Sequence, residues 1–205
     1  MDMRLQLLLE QFDWAREIAQ ARLDGNVSPA SLPEGVPLTP RKGSGRLTDE
    51  EYLWEPVPGS WSVRRRAEAA SPQPFGAGEW VMDRAHGDLD PPPITTIAWR
   101  LSHLYADFTS SWEWTFGERR PVDQIDFTPS ADLALQRLWT AVDRWRSSVA
   151  TVTPEQLDTV GFNQQPNSSA PEEPYVDTLW FTNLEFIHHM AEIALLRDLW
   201  QHRAA

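Results

Sequence analysis

The sequence predicts an all-α protein: a bundle of four long helices joined by long irregular connections. Three observations predict it. Four segments carry apolar residues at helical spacing, no run reads convincingly as a strand, and Pro- and Gly-rich stretches separate the periodic segments. At 205 residues the chain is long enough for one domain with a substantial core, and residues 1–205 are read as that domain. Connections this long release neighbouring helices from a simple up-and-down order, so their order in space stays open.

The first long helix is Asp2 to Asp24, where Leu5, Leu8, Leu9, Phe12, Ile18 and Ala19 approximate the i, i+3, i+4, i+7 set and Gly25 closes the end. From Gly25 to Arg46 the periodicity is lost to Pro, Gly and Ser, which reads as an irregular connection. Thr48 followed three residues later by Glu51 resembles a capping box and opens a short helix through about Trp54, which Pro56 and Pro58 end. Pro56 to Pro93 is the least regular stretch, yet it carries Trp61, Arg64, Phe75, Trp80, Met82 and His86. That aromatic content argues against disorder. The segment is expected to fold over one end of the bundle, as a lid or pocket wall or as a plain cover for the core.

The second long helix lies in ITTIAWRLSHLYADFTSSWEWTF, with Thr95 or Thr96 as N-cap and Gly117 just beyond its end. Ile97, Leu101, Leu104 and Phe108 form its apolar row, and His103 lies one turn from both Trp99 and Asp107. The third begins at Thr128, Pro129 or Ser130, with Pro129 suited to the first helical position, and runs to about Val152. Thr153 to Gln156 repeats the cap pattern, and residues 161–174 form a polar, Pro-bounded loop.

The fourth helix, Thr178 to Trp200, runs 23 residues without Pro or Gly. Trp180, Phe181, Leu184, Ile187, Ala191, Leu195 and Leu199 fall on one arc, which is expected to face the core. Phe186, Met190, Ile193 and Trp200 lie on the other side, so the helix is apolar nearly all round. Either the domain buries it on every side or a second chain covers it, which raises a homodimer.

Composition excludes several functions. A net charge of −12 argues against a nucleic-acid backbone or an anionic membrane as partner. No apolar run approaches the roughly 20 residues needed to span a bilayer, and the N-terminus lacks a signal-peptide pattern; the expected location is the cytoplasm. With no Cys, thiolate ligands and a Cys nucleophile are excluded, so any metal must be held by His and carboxylates. The 11 Trp point to a core or cleft lined with indoles. Of the five His, His202 is near the C-terminus, His86 is a lone loop residue, and His103, His188 and His189 sit on two long helices.

Glu185 and His189 are one turn apart, so their heads point the same way. With a His from another helix they would offer two imidazoles and a carboxylate to one divalent ion, leaving positions open for water or substrate. The plainer reading is local hydrogen bonding, of His188 to Glu192 and of His103 to Asp107.

IAWRLSHLYADFTSSWEWTFG followed by NLEFIHHMAEIALLRDLW resembles the DinB-like superfamily of four-helix metalloenzymes, in particular its actinobacterial members, and TDEEYLWEPVPGSWSVR is similar to a segment of that subgroup. The resemblance spans residues 46 to 200. It implies a divalent metal, zinc or nickel first, held by His103, Glu185 and His189, with His188 as the ligand if the frame is off by one. Glu185 departs from the many relatives that have a third His there. Asp107, His188 and Glu192 would support the ligands. Trp61, Trp80, Trp99 and Tyr105 would wall a pocket, and Arg64 or Arg100 would receive a substrate carboxylate. Some relatives are similar to thiol-dependent transferases that use mycothiol or bacillithiol, and others form a domain of sulfoxide-forming enzymes in ergothioneine synthesis. The implied function is a metal-activated water or thiol acting on a small molecule, as a hydrolase or thiol S-transferase. The alternative is a non-catalytic binding protein whose metal site has lapsed or is structural.

Overall fold

In the computed structural model, the residues described are 2–25, 45–84, 89–166 and 169–203. Among them the helices are α1 (Met3–Asp24), α2 (Asp49–Leu53), α3 (Ile97–Thr115), α4 (Ala131–Val149), α5 (Pro154–Leu157) and α6 (Tyr175–His202). The caps follow local chemistry. Gly25 takes a φ of 68° beyond α1, Thr48 accepts from the Glu51 amide, Thr96 from the Trp99 amide, and Thr153 closes a full capping box with Gln156. Ser130, not Pro129, stands at the α4 N-cap, so Pro129 lies just outside the helix.

The long helices α1, α3, α4 and α6 each send one ring to a common centre. Phe12 lies 5.7, 5.0 and 4.9 Å from Phe108, Trp145 and Phe186, all four fully buried. The T-shaped and tilted contacts among them lock the helices at one level.

Polar contacts fix the helix directions. Asn183 donates to the Leu8 carbonyl and Arg22 to the Ala194 carbonyl, so α1 and α6 run parallel. Arg146 grips Asp13 and Arg16 grips Asp143, which sets α4 antiparallel to α1. Trp112 on α3 donates to Ser148 on α4, and Arg100 and His103 meet Glu192 and Glu185 on α6; α3 thus runs with α4 and against α6. The order is up, down, down, up, which the long connections permit.

Residues 56–93 correct one expectation. They contain two short antiparallel strands, β1 (Val63–Arg65) and β2 (Trp80–Met82), with Val63 opposite Met82. Three residues each, they carry too little alternation to be seen in sequence. Asp83, fully buried, organises the segment: its Oδ2 accepts from the Ser62 amide at 3.0 Å and Arg64 Nε at 3.1 Å, and its Oδ1 from the Ala70 amide at 2.7 Å. A buried carboxylate so bonded needs no solvent.

The second correction concerns α6. The arc expected to face the core faces outward: Trp180, Phe181, Leu184, Ile187, Leu195 and Leu199 are exposed. The buried face carries Leu179, Asn183, Phe186, His189, Met190, Ile193, Leu196 and Arg197. A helix apolar on both sides does not reveal in sequence which side is inward. Here the polar side wins because its polar groups find partners. Asn183 reaches Leu8 and Gln11, and Arg197 forms a two-pronged pair with Glu51 at 2.7 and 3.1 Å.

Candidate metal centre

α3 and α6 cross where His103, Glu185 and His189 face one another. Glu185 Oε2 lies 3.4 Å from His189 Nε2 and 3.6 Å from His103 Nε2, and one ligand atom from each of the three falls within 4.8 Å of the others. Two ligands about 2.1 Å from a tetrahedral cation stand about 3.4 Å apart, so two sides of the triangle already match a metal-sized hole. The third, between the two imidazole nitrogens, is within 4.8 Å. One carboxylate and two imidazoles form a donor set suited to a divalent ion.

The electrostatics are consistent with that geometry. The His103 and His189 side chains hold the Glu185 carboxyl well below the usual carboxylate range. Burial pushes the His189 imidazole down, against the opposing pull of Glu185, so its neutral, ligating form is favoured.

Neighbours fix the orientation of His189. Its Nδ1 lies 2.8 Å from Glu192 Oε2, and Arg100 Nη1 donates to that same oxygen. Arg100 Nη1 also lies 3.2 Å from Nδ1, and Glu185 Oε2 lies 3.4 Å from Nε2; with Nδ1–H given to Glu192, the Nε2 lone pair is available to a cation at the centre. His103 is stacked on Trp99, with ring centroids 5.2 Å apart and planes 11° apart. Trp99 is itself held by its indole N–H, which donates to the Asp83 carbonyl at 2.7 Å. The β1–β2 segment therefore supports the centre indirectly, through Asp83 and Trp99.

The remaining predicted residues are distributed unevenly. His188 is not a core residue. Its side chain is 58% exposed, its ring lies flat against His189 at 5.4 Å, and its Nε2 sits 3.3 Å from Glu192 Oε1. Asp107, one turn beyond His103, is half-buried; desolvation raises its pKa, and it accepts from Gln165 Nε2 at 3.5 Å. Arg64 is committed to Asp83, Glu55 and the Ser60 carbonyl, and Arg100 to Glu192. The Arg64 guanidinium is thereby engaged, whereas Arg100 Nε is buried without a hydrogen-bond partner. Trp61 is tied by its backbone to Ile94 and Thr96, and Trp80 is half-buried under the Arg65 guanidinium. Tyr105 lies about 200° round the helix from His103 and lines the α3–α4 side. His86 lies outside the described residues.

Sequence reasoning missed the other wall. An open cleft of about 300 Å³ runs along Asp107, Gln165, Ser169, Glu173, Thr178, Phe181 and Thr182, one helical turn from Glu185 and His103. The Thr178 hydroxyl in it is buried without a hydrogen-bond partner. The polar loop 161–174 was the only signal of this wall.

Among the described residues, no helix is long and apolar enough to cross a membrane. In comparison with known families, the DinB superfamily matches residues 69–193, more than half of the chain and including all three residues of the triangle. Neither the curated proteins nor the solved structures give a match.

Proposed function

We propose that this chain, which belongs to the DinB superfamily, holds one divalent cation on His103, Glu185 and His189 and acts with it on a small molecule bound in the adjoining cleft. The observation that carries the reading is the triangle itself: two imidazole nitrogens about one carboxylate oxygen at 3.4 and 3.6 Å. Two imidazoles and a carboxylate facing one point, short of good hydrogen-bond geometry, are costly to leave half-buried without a cation. When bound, zinc or nickel supplies Lewis acidity that brings a water or a small thiol to its anionic form near neutral pH.

The protein's part is orientation and proton handling. Glu192, itself held by Arg100, orients the His189 ring, and Trp99 fixes the His103 plane. Asp107, its carboxyl raised by burial beside the cleft, accepts from Gln165 at Oδ1 and exchanges a proton with a bound molecule at its other oxygen. Thr178 and Gln165 offer hydrogen bonds to a polar substrate. A hydrolase and a thiol S-transferase, using mycothiol or a similar cosubstrate, share this arrangement.

The test is metal analysis of the purified wild type and of His189→Ala, followed by cobalt substitution and addition of a small thiol. One divalent ion per chain in the wild type, lost in the variant, is expected. A thiol-to-cobalt charge-transfer band selects the transferase branch and its absence the hydrolase branch. Metal absent from the wild type, or equal in both proteins, leaves a non-catalytic helical scaffold.

A further inference from the structure

The outward stripe of α6 is the least expected surface of the molecule. Between Trp180 and Leu199 its exposed residues are Trp180, Phe181, Leu184, Ile187, His188, Ala191, Leu195 and Leu199, all apolar except His188. Trp180 is 58%, Phe181 52% and Leu195 60% exposed. Their combined apolar area, on the order of 500 Å², is at the upper end of what a monomer usually leaves in water. A groove between α1 and α6, walled by Ala15, Ile18, Ile187 and Ala191, extends it sideways. Together they approach the ~800 Å² per partner of a stable protein interface.

The spacing indicates the occupant. Trp180, Leu184, His188, Ala191, Leu195 and Leu199 recur at intervals of four, four, three, four and four, a sequence that reads the same in both directions. At about 100° per residue they all fall within one 100° sector. Two copies of the helix laid antiparallel about a two-fold axis between His188 and Ala191 would set Trp180 against Leu199, Leu184 against Leu195, and His188 against Ala191. Asp177 and His202, both exposed in the same sector, would then face each other at each end. The small Ala191 lets the two backbones approach at the axis. An isologous interface requires such self-complementarity. A membrane surface fits poorly, because interfacial helices carry rows of Lys and Arg beside their apolar face, whereas the stripe is flanked by Asp177, His188, Glu192 and His202, the groove's Arg22 is paired with Asp198 and its Arg197 with Glu51, and the chain's net charge is −12.

We propose that the chain forms a two-fold dimer through the outward face of α6, with the two helices antiparallel and centred between His188 and Ala191. The proposal stands apart from the metal reading, since it uses none of the three residues of the triangle. It does have a consequence for them. The partner would cover His188 and so dry the side of Glu192 that anchors His189.

Sedimentation equilibrium of the full chain tests it. The expected mass is twice 23.4 kDa at micromolar concentration. Leu184→Glu and Leu195→Glu, both at exposed positions that leave the fold and its circular dichroism intact, each weaken the dimer at least about 100-fold by burying unpaired charge. The double variant Leu184→Glu, Leu195→Lys sets opposite charges across the antiparallel register and recovers at least about tenfold of that loss. A wild type that remains monomeric, a dimer indifferent to Leu184→Glu, or a double variant no tighter than the singles overturns the proposal.

Discussion

Two charged clusters lie on the inward side of α6, two to three turns apart, and they are bonded very differently. Near the C-terminal end, Arg197 meets Glu51 at 2.7 and 3.1 Å and also donates to the Arg22 and Gly45 carbonyls; both side chains are buried and fully partnered. Near the middle, Glu185 approaches His189 and His103 at 3.4 and 3.6 Å, and the ligand atoms of all three lie within 4.8 Å of one another. The first cluster neutralises itself and is structural. The second gathers three ligand heads without completing their bonds, and that incompleteness distinguishes a site from a strut.

Breaking each cluster should show the difference. Arg197→Met strands a buried carboxylate and should cost about 3–5 kcal/mol in chemical denaturation, with or without metal, while adding Glu51→Leu should recover most of it. His189→Ala should behave in the opposite way. The metal-free protein should change by no more than about 1 kcal/mol, but stabilisation by added zinc or nickel should vanish in a thermal melt. Glu192→Gln removes a supporting group and leaves all three ligands; metal affinity should fall about 10–100-fold with the fold intact.

The smallest effect is in pH. Because His103 and His189 hold the Glu185 carboxyl below its ordinary value of 4.5, the folded metal-free chain binds fewer protons there than the unfolded chain. Its contribution is therefore present above pH 4.5 and is lost as the pH falls toward the lowered folded value. Denaturation of Glu185→Gln from pH 6 to 3 should show a shallower acid limb than the wild type.

Much of the helical frame was legible because it depends on local chemistry: Gly25, Thr48, Thr96 and Thr153 act within a turn or two of their own positions. The Glu185–His189 pair was legible for the same reason, since the helix repeat alone sets one head above the other. What failed depends on distant partners. Asn183 and Arg197 read as polar interruptions until Leu8 and Glu51 meet them, so the inward face of α6 was assigned backwards. The bond from Arg100 to Glu192 was not legible because the two are 92 residues apart. The β1–β2 pair depends on Asp83, whose hydrogen bonds reach back to Ser62. The cleft beside Asp107 is built from a loop and two helices that no periodicity connects.

Isothermal titration of zinc into the metal-free wild type, with His103→Ala, Glu185→Gln and His189→Ala beside it, tests the central claim most directly. The expected result is one saturable site per chain in the wild type, weakened at least about 100-fold by removing either imidazole and less by Glu185→Gln, which keeps a neutral oxygen in place. No saturable binding in the wild type, or the same isotherm in all four proteins, would contradict it.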